Sequence, residues 1–417
     1  MDTLLLSRIA SLDENLTRVD DSLERLRRRH ASPNAPAEDR VAVDLWYMLD
    51  MEVRKRFERH QDALEELRAA AQGGAAAAPG AENPWKTYAR VREESERLFD
   101  ECLEFIGALA FRHTGLDEDR MCQLADDVMF ACAREAYGQP WTFLTVPSLR
   151  DVVTRSRLRL SRLRFPEWTF WTLPATAYVL GHEVLCEQKV ASLVTDRMES
   201  WARADVAHSH VPILIADVFA AYLMGPAYGH AAIRLRFDPS RAYAEDARRP
   251  AEASRAHVVL KTLECVPAYR SAPLWKSQVQ ALHEQWDRAL AAAEPEGAPP
   301  DEPASLDELV EEALEHFDDQ LSLMASYDQR SWHKAEALYE RWREDADRSA
   351  AVDALSTEPT EQLLTARDVL NAAWLMRVDR PRDAARTERA ASAMCRRVLF
   401  IGEAPTGGPG LAPIPIS

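Results

Sequence analysis

Apolar residues recur at spacings of three and four along most of this sequence, which is the pattern of amphipathic helices. A short break at Ala31–Pro36, rich in proline and asparagine, separates the first two such stretches and turns the chain back. Residues 1–72 are therefore predicted to form an antiparallel helical hairpin, either docked on its own domain or dimerising as a coiled coil. The first stripe consists of Ile9, Leu12, Leu16, Val19, Leu23 and Leu26, and the second of Leu45, Leu49, Val53, Phe57, His60, Leu64 and Leu67.

The middle of the chain begins after a low-complexity linker, residues 73–84, and is again predicted to be mainly helical. The first two helices are predicted at Trp85–His113 and Leu116–Tyr137. In Ser156–Phe165 leucine alternates with arginine, which favours a half-buried strand, although an amphipathic helix fits the same residues.

Two segments that are apolar almost all round follow, and both are predicted to be buried helices. The first begins near Pro174, and the second spans Ile213–Leu235 with an expected kink at Gly225-Pro226. The charged segment Asp238–Ser254 is predicted to be an exposed loop. Further helices are predicted at Ala256–Glu264 and Leu274–Ala293.

The acidic, proline-rich segment Glu294–Ala304 marks the clearest predicted domain boundary. Beyond it, helices are predicted at about 306–326, 329–347, 360–378 and 383–401. The pattern as a whole predicts a mainly α protein. Its parts are a hairpin at 1–72, a core at 85–293, a C-terminal helical region at 305–401 and a flexible tail at 402–417.

Composition narrows the classes of partner and compartment. The formal net charge of −17 argues against nucleic acid or an anionic membrane as the main partner, because both repel an acidic surface. No apolar run approaches the roughly 18 residues that a membrane span needs. The six cysteines lie far apart without CxxC spacing, and the N-terminus shows no basic leader, which favours reduced thiols in a cytoplasmic protein.

Two motifs on the apolar helices carry the candidate chemistry, Thr176–Val184 (TAYVLGHEV) and Ile213–Asp217 (ILIAD). In degenerate form they resemble the HExGH and ExxAD helices of zincin metallopeptidases of the gluzincin kind. In that family two histidines and a later glutamate bind zinc, while another glutamate is the general base and an aspartate orients a ligand histidine. The resemblance covers about residues 102–264 and implies a zincin-like helical core with a small β element.

The resemblance assigns five positions of this chain to the old metal centre. Tyr178 and His182 stand at the two histidines, and Val179 stands at the general base. Ile213 stands at the third ligand and Asp217 at the orienting aspartate. Only His182 and Asp217 keep the family's residue, and we expect them to share a hydrogen bond. Since aliphatic side chains neither bind zinc nor transfer protons, we expect no catalytic residue, no metal ligand and no cofactor.

The sequence therefore predicts a pseudoenzyme that is not catalytic and acts as a protein-binding or assembly scaffold, through a protein partner or self-association. One alternative is a metal-dependent hydrolase with relocated ligands drawn from Glu183, His208, His210 and His230. Another is a structural helical interaction protein without zincin ancestry.

Overall fold

The computed structural model describes most of the chain and is mainly helical, as predicted. The chain falls into two compact units, the first built on helices α1 to α3 and the second containing helices α4 to α14. The described residues are 3–30, 54–56, 58–72, 83–113, 121–137, 144–148, 160–164, 169–186, 210–245, 249–297, 303–321, 325–348 and 364–402.

Helices α1 (Thr3–His30) and α2 (residues 54–56 and 58–71) run antiparallel in the first unit. Two ion pairs establish the direction. Arg68 Nη2 binds Asp13 Oδ2 at 3.1 Å, and Arg54 Nη2 lies 3.5 Å from Glu24 Oε2. The residue later in α1 therefore pairs with the residue earlier in α2, as in an antiparallel pair. The side chains of Val19, Leu23 and Leu26, and residues 31–53, lie outside the described part of the chain.

Helix α3 (Pro84–His113) completes this unit and shares its apolar face with the hairpin. Arg8 lies over the Trp85 ring at 5.7 Å, and His60 Nδ1 lies 3.1 Å from Ser95 Oγ. The predicted core of 85–293 therefore differs from the observed grouping, because the first of its helices packs with the hairpin. The buried face of α3 consists of Tyr88, Val91, Ser95, Leu98 and Cys102.

The second unit contains the two apolar helices on which the candidate chemistry lies. A turn of 3₁₀-helix, Phe170–Ala175, contains Pro174, and helix α5 follows at Thr176–Cys186. Helix α6 (Val211–Met224) is buried at nearly every position. Two short strands, β1 (Leu144–Ser148) and β2 (Leu160–Arg164), pair as a two-stranded sheet, and the residues of each strand are divided between the two units. Their placement beside α5 stays a prediction.

The remaining elements of this unit are helical. Helix α4 is Met121–Tyr137, α7 is Pro226–Ala231 and a π-helical turn follows at Ala232–Arg236. The others are α8 (Glu252–Cys265), α9 (Pro267–Ser271), α10 (Pro273–Ala293), α11 (Pro303–Gln320), α12 (Gln329–Arg348), α13 (Ala366–Asp379) and α14 (Ala384–Gly402).

Helices α5 and α6 cross in close contact at Gly181. A Cβ atom at this position would lie 3.1 Å from the Cα and O atoms of Ala216 and 3.1 Å from the Phe219 ring. Because real Cβ contacts are rarely so short, the crossing requires a residue without a side chain. The small residues bring the two candidate motifs side by side.

The predicted kink at Gly225 and Pro226 is a full break between α6 and α7. Gly225 has a φ of 62°, and a Cβ here would lie 2.6 Å from the Tyr327 ring. The backbone groups around the break bind side chains of α13. Asn371 Nδ2 donates to Met224 O at 2.8 Å and its Oδ1 accepts from Ala227 N at 2.9 Å. Arg367 Nη1 donates to Leu223 O at 2.9 Å.

The acidic linker at 294–304 does not separate two compact units. Helix α11, which follows it, packs on α6 and α8 within the second unit. The Phe317 ring lies 5.6 Å from the rings of Phe219 and Tyr222, and Tyr222 Oη donates to Asp318 Oδ1 at 2.6 Å. The predicted C-terminal region is thus continuous with the core that contains the candidate motifs. Within the described residues, no helix has the length and apolar character needed to cross a membrane.

Candidate functional site

The five positions assigned to the old metal centre, which we call the mapped centre, lie on the facing helices α5 and α6. Tyr178 and His182 are one turn apart on α5, and their rings meet edge to face with centroids 4.6 Å apart. Ile213 and Asp217 are one turn apart on α6, and both are buried. Val179 is also buried, with 8 % of its surface exposed.

An arginine from a third helix reaches into the mapped centre and binds Asp217. Arg255, on α8, donates from Nε to Asp217 Oδ2 at 2.7 Å and from Nη2 to Asp217 Oδ1 at 3.1 Å. Tyr228, on α7, donates its hydroxyl to the same Oδ1. Asp217 and Arg255 are 0 % and 1 % exposed, so this is a fully buried ion pair with a forked geometry.

Aromatic rings enclose the guanidinium of Arg255. Its Cζ lies 5.0 Å from the Tyr178 ring centroid and 4.8 Å from that of Phe237. Its Nη1 also lies 3.6 Å from Glu252 Oε2 on the same helix. Burial by itself would lower the pKa of Arg255, but the negative charge of Asp217 raises it well above the ordinary value. The mapped centre therefore holds a permanent positive charge.

The predicted hydrogen bond between His182 and Asp217 is wrong. Among the described residues, the hydrogen-bond donors to the Asp217 carboxylate are Arg255 and Tyr228. A guanidinium offers a fixed charge and two parallel donors, whereas a neutral imidazole offers one donor and no charge. A buried carboxylate is consequently better satisfied by the arginine.

The mapped centre does not fit a zinc ion. The Asp217 carboxylate is engaged by a cation, and a divalent metal beside the Arg255 guanidinium would meet strong repulsion. Elsewhere in the described residues, no three side chains of the His, Cys, Asp and Glu types are grouped so as to hold a metal. Of the relocated-ligand candidates, His230 Nε2 pairs with Gln278 at 3.0 Å and His210 is buried. Glu183 and His208 have side chains outside the described part of the chain.

Sequence reasoning missed Arg255, which lies between the exposed loop predicted at Asp238–Ser254 and the helix predicted at Ala256–Glu264. The loop prediction extended too far. That prediction is wrong for its last residues, since Glu252 and Ser254 are buried and α8 begins at Glu252. The available signal was a glutamate and an arginine three residues apart at the start of an apolar helix. Such a pair normally faces solvent, so the pattern alone does not reveal a buried partner 38 positions away.

Among the described residues of the second unit, two of the cavities lie outside the mapped centre. The smaller, about 80 Å³, touches Arg249 and Glu252 beside the Arg255 network. The larger, about 420 Å³, lies between α4 and the ends of α13 and α14, where Phe130, Glu135 and Leu399 contribute to its wall. Neither cavity is lined by the five mapped positions.

No protein family, no curated protein and no solved structure significantly matches this chain. The zincin resemblance thus depends on the residues of α5 and α6, and it stays a hypothesis.

Proposed function

We propose that this chain is a catalytically inactive, zincin-like pseudoenzyme that acts by binding protein, either a partner or a second copy of itself. The observation that carries the proposal is the buried pair of Arg255 and Asp217 at the mapped centre. In a working zincin the corresponding aspartate orients a ligand histidine, and the positive charge of the centre comes from a Zn²⁺ ion. Here a guanidinium supplies it, and a guanidinium has no open coordination position for a substrate or a water molecule.

The mapped side chains also lack the groups that hydrolysis needs. Val179 replaces the general base, and Ile213 replaces a ligand; both are buried aliphatic residues. Loss of general acid-base catalysis alone costs about 10² to 10⁴ in rate. The remaining polar residues support packing, since Tyr228 and Arg255 both bind Asp217.

Zinc content tests the inactive centre. After dialysis in zinc-free buffer, elemental analysis is expected to find far less than one zinc per chain. The variant Tyr178→His, Val179→Glu, Ile213→Glu, Arg255→Ala is expected to bind zinc, because it restores the ligand set and removes the competing cation. The matched control retains Arg255 and is expected to bind at least about tenfold more weakly. Wild-type protein holding about one zinc per chain would contradict the proposal and favour relocated ligands.

An exposed apolar pair on α3 supports a binding role. Phe99 and Leu103 are one turn apart on one face of the helix and are 45 % and 51 % exposed. A contiguous aromatic and aliphatic pair on the surface is the kind of feature that anchors a protein contact. We therefore propose this pair as the centre of a binding surface on the first unit.

Substitution of the pair tests this placement. Phe99→Ser with Leu103→Ser is expected to abolish either self-association, seen as a mass above the 47.0 kDa of one chain, or capture of a protein from cell extract. Glu96→Ser, on the same helix and exposed, is the matched control and is expected to change neither. If the double variant matches wild type in both mass and capture, the placement on α3 is incorrect.

A further inference from the structure

Three arginines in the second unit lie together without a carboxylate partner. Arg234 is on the π-helical turn, Arg377 on α13 and Arg288 on α10. In the described part of the chain, none of the three forms an ion pair. One of them, Arg288, donates a hydrogen bond from Nε to the backbone oxygen of Glu284 at 3.0 Å. This is unexpected in a protein with 68 acidic residues and 51 basic ones.

Two aromatic residues form the inner wall of this group. His230 stacks on Trp374 with ring centroids 5.3 Å apart and an interplanar angle of 13°. Arg377 Cζ lies 4.8 Å from the Trp374 ring. Arg234, on the π-helical turn that continues α7, follows His230 by one turn, and Arg377 follows Trp374 by one turn on α13, so each arginine lies beside the ring that precedes it. We call these residues, with Arg288 at the exposed edge, the arginine cluster.

Four buried polar atoms of the arginine cluster have no hydrogen-bond partner within the described structure. They are Arg234 Nε, Arg377 Nη1, Trp374 Nε1 and His230 Nδ1. Three of them are obligatory donors. Buried donors are almost always satisfied in native proteins, so several unsatisfied donors in one cluster indicate an absent water, ion or ligand.

The electrostatic environment identifies the sign of that ligand. Burial lowers the pKa of Arg234, and the charges of Arg377 and Arg288 lower it further. Burial also lowers the pKa of Arg377, and the negative charge of Glu388 acts in the opposite direction. A cluster of mutually repelling cations that are half-buried is relieved by an anion and excludes a metal ion.

We propose that the arginine cluster is a binding site for a phosphate group, formed by Arg234, Arg377 and Trp374 with Arg288 at its mouth. A guanidinium fork matches two phosphate oxygens, and the indole N–H supplies a further donor. A single carboxylate would neutralise one positive charge, whereas a phosphate carries nearly two negative charges at neutral pH. The group could come from free orthophosphate or from the phosphate monoester of a small molecule. The site is independent of the zincin hypothesis.

Calorimetric titration at constant ionic strength tests this proposal on the full chain. Orthophosphate and phosphoserine are the two probes, and acetate is the control anion. We expect at least one phosphate probe to bind with a Kd below about 1 mM and acetate to bind at least about tenfold more weakly. A preference for phosphoserine identifies a phosphate monoester as the ligand, and a preference for orthophosphate identifies the free ion. Failure of both probes to bind at about 10 mM overturns the proposal.

Matched arginine variants locate the binding. Arg234→Gln and Arg377→Gln are each expected to weaken phosphate binding about tenfold or more, while Arg270→Gln, an exposed arginine of the same unit, leaves it unchanged. Arg288 is exposed, so the variant Arg288→Gln leaves no buried cavity and is expected to fold. Its phosphate affinity is expected to fall about threefold, which tests the site even if the other two variants misfold. If all three cluster variants bind phosphate as tightly as the Arg270→Gln control, the assignment to this cluster is overturned.

Discussion

Two arginine environments in the second unit differ in how the positive charge is paired, and Arg255 is fully buried while Arg234 and Arg377 are half-buried. In the mapped centre, Arg255 binds both oxygens of Asp217, and its pKa is raised despite burial. In the arginine cluster, burial lowers the pKa values of Arg234 and Arg377, and neither arginine forms an ion pair among the described residues. We call the first environment electrostatically complete, because its buried cation has an anionic partner within the chain. The second environment is incomplete in this sense.

This difference separates structure from recognition. A buried charge that has its partner within the chain holds helices together, and removal of either partner is costly. A buried charge without a partner destabilises the fold and persists where a ligand completes it. The mapped centre, which descends from a catalytic site under the zincin hypothesis, contains a charge that is paired within the chain. The arginine cluster, for which no motif is apparent in the sequence, contains charges without an ion-pair partner among the described residues.

The largest expected effect tests whether the mapped centre is electrostatically complete. Asp217→Ala leaves the Arg255 guanidinium buried and unpaired, so the free energy of unfolding should fall by about 3–5 kcal/mol. Urea denaturation measures the change. In the double variant Asp217→Leu with Arg255→Met, both charges are absent, and the loss should be smaller than the sum of the two single losses by about 2 kcal/mol or more.

The matched control for this prediction is a half-exposed carboxylate that pairs with a histidine and a lysine. Asp307 lies 2.8 Å from His257 Nε2 and 3.0 Å from Lys261 Nζ, and its side chain is 36 % exposed. Asp307→Ala is expected to cost no more than about 1 kcal/mol because solvent screens the pair. If Asp217→Ala costs no more than Asp307→Ala, the two arginine environments do not differ in the way proposed.

The helices of the second unit were largely predictable because their signals are local. An apolar run with a proline near its start predicts where α6 begins. Gly225-Pro226 predicts where it ends, because proline has no N–H to donate and Gly225 adopts a positive φ. The domain boundary predicted at 294–304 also depended on a local signal, and here the local signal misleads. A proline-rich acidic segment reports a local lack of structure, but not that α11 beyond it packs back on α6.

The candidate site was predictable only in part. The pattern placed Tyr178, His182 and Asp217 on two helices that do face each other, since Gly181 and Ala216 meet at the crossing. The partner of Asp217 could not be predicted, because Arg255 lies 38 residues away, directly after a segment whose charged composition indicates a surface loop. Long-range pairing of buried charges depends on tertiary packing, and local composition does not encode it.

The smallest expected effect tests the arginine cluster through the titration of His230. Burial lowers the pKa of His230 to about 3, and Arg234 and Arg377 contribute in the same direction while the hydrogen bond to Gln278 opposes them. The folded pKa lies below the unfolded value of 6.5, so the unfolded state binds the proton first. The stability contributed by neutral His230 is complete above pH 6.5 and is lost as the pH falls from 6.5 towards 3.

Between pH 7 and pH 5 this residue should lower the free energy of unfolding by about 2 kcal/mol, measured by urea denaturation at each pH. His230→Phe preserves the aromatic stack on Trp374 but cannot be protonated, so its stability should fall by about 2 kcal/mol less than wild type over the same interval, whatever its absolute value. Parallel pH profiles for the two proteins would mean that His230 titrates at an ordinary pKa. The inner wall of the cluster would then be accessible to water, and the arginines beside it would not need an anion to be satisfied.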